Sequence, residues 1–140
     1  MTMTAKILLA LMVTALTSCA TYNLSTTSLS EQLKSNQQIE QSKEYQKFAF
    51  VEYSSNNLDK IKCSDKTGKE LWLYPDKNTQ IVLVKKNGSK TKAYFDTMVL
   101  RGDTLFSLES RISGGRQRTM LNEVERVFLT AEFPKTKPVK

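Results

Sequence analysis

From residue 58 to residue 129 the chain keeps one cadence. Short runs rich in Val, Ile, Leu and aromatics are closed in turn by Thr67-Gly68, Pro75-Asp76-Lys77-Asn78, Asn87-Gly88, Gly102-Asp103 and Gly114-Gly115. Turn residues at hairpin spacing predict strands over 58–65, 69–74, 79–86, 89–101, 104–112 and 117–129, the last interrupted near Asn122-Glu123. Asn87-Gly88 suits a two-residue type I′ turn, which needs positive φ at both central positions. In Ile61-Lys62-Cys63-Ser64 the alternation puts Ile61 and Cys63 on one face. In residues 106–112 it puts Phe106, Leu108 and Ile112 opposite Ser107, Glu109 and Arg111, as when one face meets a core. Ile81-Val82-Leu83-Val84 is apolar on both faces and is expected at the centre of the sheet. The fold class is therefore mainly β: an antiparallel meander of about six strands, twisted enough to curl into a small open barrel.

Ahead of the meander the pattern loosens. Residues 20–27 are small and polar without periodicity and read as a tether. Ser28-Leu29-Ser30-Glu31 matches a capping box and predicts a short helix, with Leu29 and Leu33 on the face that covers the mouth or edge of the sheet. Residues 37–47 are almost entirely polar and read as linker. Lys47-Phe48-Ala49-Phe50-Val51-Glu52-Tyr53 is a candidate strand that ends at the turn cluster Ser54-Ser55-Asn56-Asn57. The expected organisation is a leader over 1–18, a tether over 19–27, helix, linker and possible first strand over 28–57, a β-domain over 58–130, and a frayed tail over 131–140.

The leader carries its own chemistry. Lys6 is the one charge before Ile7-Leu8-Leu9-Ala10-Leu11-Met12-Val13-Thr14-Ala15-Leu16, an apolar run half the length that a membrane-spanning helix needs. It ends in Leu16-Thr17-Ser18-Cys19, which resembles the lipobox of bacterial lipoprotein precursors. The resemblance implies cleavage between Ser18 and Cys19, a diacylglycerol thioether on the Cys19 sulfur, acylation of the new amine, and a membrane anchor of more than one chain. The alternative is an ordinary secretory leader in which Cys19 is incidental. In the enterobacterial pattern an Asp after the cysteine retains a lipoprotein at the inner membrane; Ala20 stands there instead, and Ala20-Thr21-Tyr22-Asn23 lacks the acidic run of a surface-export signal. The implied location is the outer membrane, facing the periplasm. The cadence of residues 58–129, through Cys63-Ser64-Asp65-Lys66-Thr67-Gly68, Tyr94-Phe95-Asp96-Thr97 and Met120-Leu121-Asn122-Glu123-Val124, also resembles small β-domains of Bacteroidetes lipoproteins. That likeness carries no assigned chemistry.

Composition narrows the functions. Without the leader 122 of the 140 residues remain, enough for one domain. With Cys19 lipidated, Cys63 has no partner in the chain; it is either a reactive thiol or, as its alternation suggests, a buried small hydrophobe. The chain has no His, so the commonest general base and metal ligand is missing, and neither a nucleophile elbow nor a phosphate loop is present. A carboxylate pair such as Asp96 with Glu109 is the remaining route to catalysis, and a non-enzyme requiring no cofactor or metal is expected. The net charge is +7. In a simple meander, alternate turns share an end, which would gather Lys66, Lys69, Lys85, Lys86, Lys90, Lys92, Arg111, Arg116 and Arg118 into one cationic rim able to bind anionic envelope components. The plainer reading is that these cations only solubilise hairpin tips. The expected partners are the membrane, through the anchor, and an envelope protein or anionic envelope component, with nucleic acid last. The alternative function is an accessory subunit of an envelope assembly.

Overall fold

The computed structural model describes residues 19–35, 45–48, 51–111 and 114–139. Strand β1 (Cys19–Leu24) leads into helix α1 (Thr26–Ser35), and a hairpin of β2 (Tyr45–Phe48) and β3 (Val51–Ser54) follows. Next come β4 (Ile61–Ser64), β5 (Glu70–Tyr74), β6 (Gln80–Lys85) and β7 (Lys90–Tyr94). After a 3-10 turn at Phe95–Thr97 the chain forms β8 (Val99–Arg101), β9 (Thr104–Leu108) and β10 (Arg116–Met120). A second 3-10 turn, Leu121–Glu123, precedes β11 (Val124–Glu132) and β12 (Lys135–Pro138).

Among the described residues the protein is mainly β with one helix, and its sheets are antiparallel, but they do not close into a barrel. Seven strands among the described residues form one sheet in the order β12-β5-β4-β1-β11-β6-β7, three form β10-β9-β8, and β2 pairs with β3. The expected six-strand meander survives only in part, because β1 and β11 insert between β4 and β6. β11 is the longest strand, and its buried Val127, Leu129 and Ala131 supply a continuous inner face. It pairs with β1 from Cys19↔Glu132 to Leu24↔Val127 and with β6 from Val124↔Lys85 to Thr130↔Gln80. β1 and β4, by contrast, share the single pair Asn23↔Ser64, so the sheet splays there.

Helix α1 fills the splay. Leu29 and Leu33, four residues apart on one face, are both buried in the core cluster with Ile61, Leu73, Ile81, Phe95, Met98 and Leu129, and the helix packs against β8 and β11. Burying each leucine contributes about 2 kcal/mol. The helix begins three residues earlier than the Ser28 box implies: Ser25 is the cap, its hydroxyl accepting from the Ser28 N–H at 3.0 Å. Glu31 plays no part in the cap. Gln32 reaches across from α1, its Oε1 accepting from the Lys62 N–H at 2.7 Å and its Nε2 donating to the Lys62 carbonyl at 3.0 Å. One side-chain amide thus replaces the strand partner that β4 loses when β1 ends.

Several boundaries depart from the sequence pattern. The expected tether forms β1, in which Tyr22 and Leu24 alternate inward. The expected frayed tail forms β12, paired with β5 from Lys135↔Tyr74 to Pro138↔Leu71; an edge tolerates its proline because one side needs no donor. The strand expected over 89–101 is two strands, reversed at Phe95–Thr97 around the fully buried Phe95 and Met98. Asn56 ties this reversal, its Nδ2 donating to the Phe95 and Met98 carbonyls at 2.8 and 3.0 Å. On β9 the residue in the core cluster is Leu105, while Phe106 is half-exposed; Ile112 lies outside the described residues. The apolar run 47–53 is divided between the paired β2 and β3, and the linker expected over 37–47 lies mostly outside the described residues.

The β6–β7 turn also differs from the type I′ expectation. Only Gly88 takes a positive φ, +88°, and its N–H donates to the Lys85 carbonyl at 2.9 Å while the Lys85 N–H donates to the Ser89 carbonyl at 2.8 Å. This is a three-residue loop closed by a left-handed glycine. Ser89 donates through both N–H and hydroxyl to Asn87 Oδ1, which holds Asn87 out of the left-handed conformation.

Candidate functional site

The structure keeps part of the expected cationic rim together and removes the rest. β5 ends at the 76–78 loop from which β6 sets out, and Ser64 and Glu70, at its other end, line a pocket with Glu125 and Arg126 of β11, so the Thr67-Gly68 turn with Lys66 and Lys69 lies toward the same end as Asn87-Gly88 with Lys85, Lys86 and Lys90. The extra reversal at Phe95–Thr97 then exchanges the later turns. The Lys86 N–H donates to the Glu123 carbonyl and the Leu121 N–H to the Asp103 carbonyl, so the 102–103 turn sits at the Asn87-Gly88 end. Gly114-Gly115, with Arg111 in the same loop, sits at the end of residues 76–78. Lys90 and Lys92 are exposed on the edge strand β7, and Arg116 and Arg118 on β10 of the other sheet.

Arg111 leaves the rim for a further reason: it is buried. Its Nη2 donates to the Asp96 carboxylate and, at 2.7 Å, to the Lys77 carbonyl, and the guanidinium lies 4.4 Å from the Tyr94 ring centroid. One side chain therefore fastens the 76–78 loop and the 95–97 reversal to the segment that follows β9. This also fixes the environment of Asp96, one member of the carboxylate pair. Burial pushes its carboxyl up, while the Arg111 hydrogen bond and charge pull it down. Glu109 is exposed, and Asp96 is committed to Arg111. Cys63 is buried, 3% exposed, and burial pushes its thiol up to about 12. It is protonated at neutral pH and packs as a small hydrophobe. Among the described residues no group of His, Cys, Asp and Glu is placed to hold a metal ion, and no helix is long and apolar enough to cross a membrane.

What the fold assembles instead lies on the outer face of β12-β5-β4. Leu71 and Leu73 point into the core, so Trp72 and Tyr74 point outward and stay half-buried. Residues directly opposite on paired strands share a face. Trp72 is flanked by Lys62 on one side and Lys137 on the other, and Tyr74 is flanked by Lys135. Lys60 lies two residues before Lys62 and joins them. The Lys60 and Lys62 ammonium groups stand 4.3 and 5.3 Å from the Trp72 ring centroid, and that of Lys137 stands 5.6 Å from Tyr74. These distances bring the cations within reach of the ring faces. Four lysines interleaved with two aromatics thus form one surface.

No sequence argument found this face, because it requires β12, read as a loose tail, to lie beside β5. The alternations Glu70-Leu71-Trp72-Leu73-Tyr74 and Lys135-Thr136-Lys137 were the available signal. The face adjoins the start of β1, because Cys19, exposed, pairs with Glu132, and only residues 133 and 134 separate Glu132 from β12. No protein-family description, curated protein or solved structure matches the chain, so its function rests on its own residues.

Proposed function

We propose that the mature chain is a lipid-anchored, non-catalytic binding module of the bacterial cell envelope, carried on the outer membrane and facing the periplasm, that engages an anionic envelope component. The observation that carries the binding half is the face of Lys60, Lys62, Lys135 and Lys137 around Trp72 and Tyr74. The lipobox Leu16-Thr17-Ser18-Cys19 supports the anchor. Lysines supply non-directional attraction to phosphate or carboxylate, and the ring faces supply flat apolar contact. The other cations Lys66, Lys69, Lys85, Lys86, Lys90, Lys92, Arg116 and Arg118 solubilise turns and edges in this reading.

The test is a titration of the chain from Cys19 onward, with Cys19→Ser, against phosphatidylglycerol and phosphatidylcholine vesicles at rising salt. A lysine near an anionic surface contributes about 1 kcal/mol, so changing Lys60, Lys62, Lys135 and Lys137 to Ser weakens binding by about 4 kcal/mol at low salt. Changing Lys66 and Lys69 to Ser has a small effect. Equal binding to both lipids, or a quadruple variant that binds like the parent, would overturn the proposal. The open edges β7 and β12 favour a second reading, an accessory subunit completed by strand pairing. In that case pull-down from detergent extracts returns the same partners with and without the four lysines.

A further inference from the structure

We infer that the domain lies directly on the bilayer that anchors it, with Phe133 seated among the lipids and the Trp72–Tyr74 face turned toward the headgroups. The inference rests on the lipid-anchor reading and adds an orientation to it. Nine tether residues over 19–27 would let a domain stand up to about 30 Å from its anchor. No such slack exists, because the pairing of β1 with β11 begins at the anchor residue itself, at Cys19↔Glu132. A lipid on Cys19 Sγ therefore leaves from an ordered strand, and whatever surrounds that strand end is brought to the membrane.

What surrounds it suits an interface. The next residue after Glu132 is Phe133, 80% exposed, twice the exposure of Met120 at 40%. Its φ of +50° places a bulky residue in the left-handed region, and Pro134 after it disfavours that conformation further. A phenyl ring held in water by a strained backbone is a feature that packing within the domain does not explain. Beyond the corner come Lys135 beside Tyr74, then Lys137 beside Trp72, with Lys60 and Lys62 across β5. Trp and Tyr favour the headgroup level of a bilayer, and lysines extend apolar stems there while their ammonium groups meet lipid phosphates. Glu132 is the carboxylate next to the anchor and stands opposite Cys19. Glu70 lies across from Ser64, at the opposite end of β5 from Tyr74.

The chain's one tryptophan, Trp72, is a native reporter. The lipidated protein is purified from membranes, its N-terminal mass is measured, and it is reconstituted into anionic liposomes whose acyl chains carry bromine. A second variant, Trp72→Phe with Phe133→Trp, moves the reporter to the corner. The expected result is that brominated lipid roughly halves emission from the corner reporter and quenches Trp72 less, as fits a ring among the acyl chains and a ring at the headgroups. A protein carrying its thioether lipid whose two reporters ignore bromine and stay open to aqueous acrylamide overturns the orientation and leaves the anchor standing. A bare thiol at Cys19 overturns the anchor, and the orientation with it. Should the corner variant fold poorly, Phe133→Ser in the native Trp72 background replaces it; unchanged Trp72 quenching there removes Phe133 from the contact.

Discussion

Gln32 offers a direct measure of how the splay between β1 and β4 is held. In Gln32→Ala the Lys62 N–H and carbonyl lose partners at 2.7 and 3.0 Å, and the Ser28 hydroxyl loses a donor at 3.0 Å. A net intramolecular hydrogen bond is worth about 1 kcal/mol, and Lys62 is only half-buried, so the two strand bonds together account for about 2 kcal/mol. Alanine's better helix propensity returns about 0.3 kcal/mol. With a urea slope of about 1.5 kcal/mol/M, the midpoint falls by about 1 M. Amide exchange at Lys62 should accelerate by the same factor that local opening is favoured. Gln32→Glu keeps the acceptor but sets a carboxylate oxygen against the Lys62 carbonyl, so it recovers stability only where the new carboxyl is protonated. That carboxyl is stabilised neutral in the fold, so the recovery is complete below its unfolded pKa and disappears as pH rises through the folded one. An alanine variant within 0.5 kcal/mol of the parent, or Lys62 exchange that does not change, would refute the account.

Two further expectations follow from buried groups. Cys63, pushed up to about 12 by burial, should resist aromatic disulfide reagents at neutral pH until the protein unfolds. Because its folded pKa lies above the ordinary thiol value, its contribution is whole below pH 9 and lost as pH rises toward 12; melting curves over pH 8 to 11 should lose this slope in Cys63→Val. Arg111→Met should cost about 2–3 kcal/mol by leaving the Asp96 carboxylate without its cation, and the Asp96 carboxyl should titrate higher still. Adding Asp96→Asn should recover part of the loss in denaturant unfolding, whereas strictly additive losses would show that the pair is not coupled.

How much of this was legible in the chain depends on range. The turns at Gly68, Gly88 and Gly102 and the inward face of Ile61 and Cys63 are set within a few residues, by backbone freedom and side-chain alternation. So is the helix face of Leu29 and Leu33, and all of these could be read locally. The Arg111 contacts could not, because Tyr94 and Asp96 at the end of β7 and Lys77 in the loop before β6 are distant along the chain from Arg111 and meet it only through the Phe95–Thr97 reversal. That reversal hides inside a run that reads as one strand, since the buried Asn56 that holds it lies about forty residues earlier.

The sequence by itself determined a β-rich chain with a short amphipathic helix, and put Cys63 on the same face as the apolar Ile61. Only the tertiary structure decided which strands are neighbours. β1 and β12 have weak local signals and become strands because β11 and β5 offer them rows of unpaired N–H and C=O groups. Those two long-range pairings fasten Cys19 to the sheet without slack and carry Lys135 and Lys137 to Trp72 and Tyr74. The physical reason is that a strand's partner is chosen by the whole sheet's hydrogen bonding and core, which no window of neighbouring residues contains.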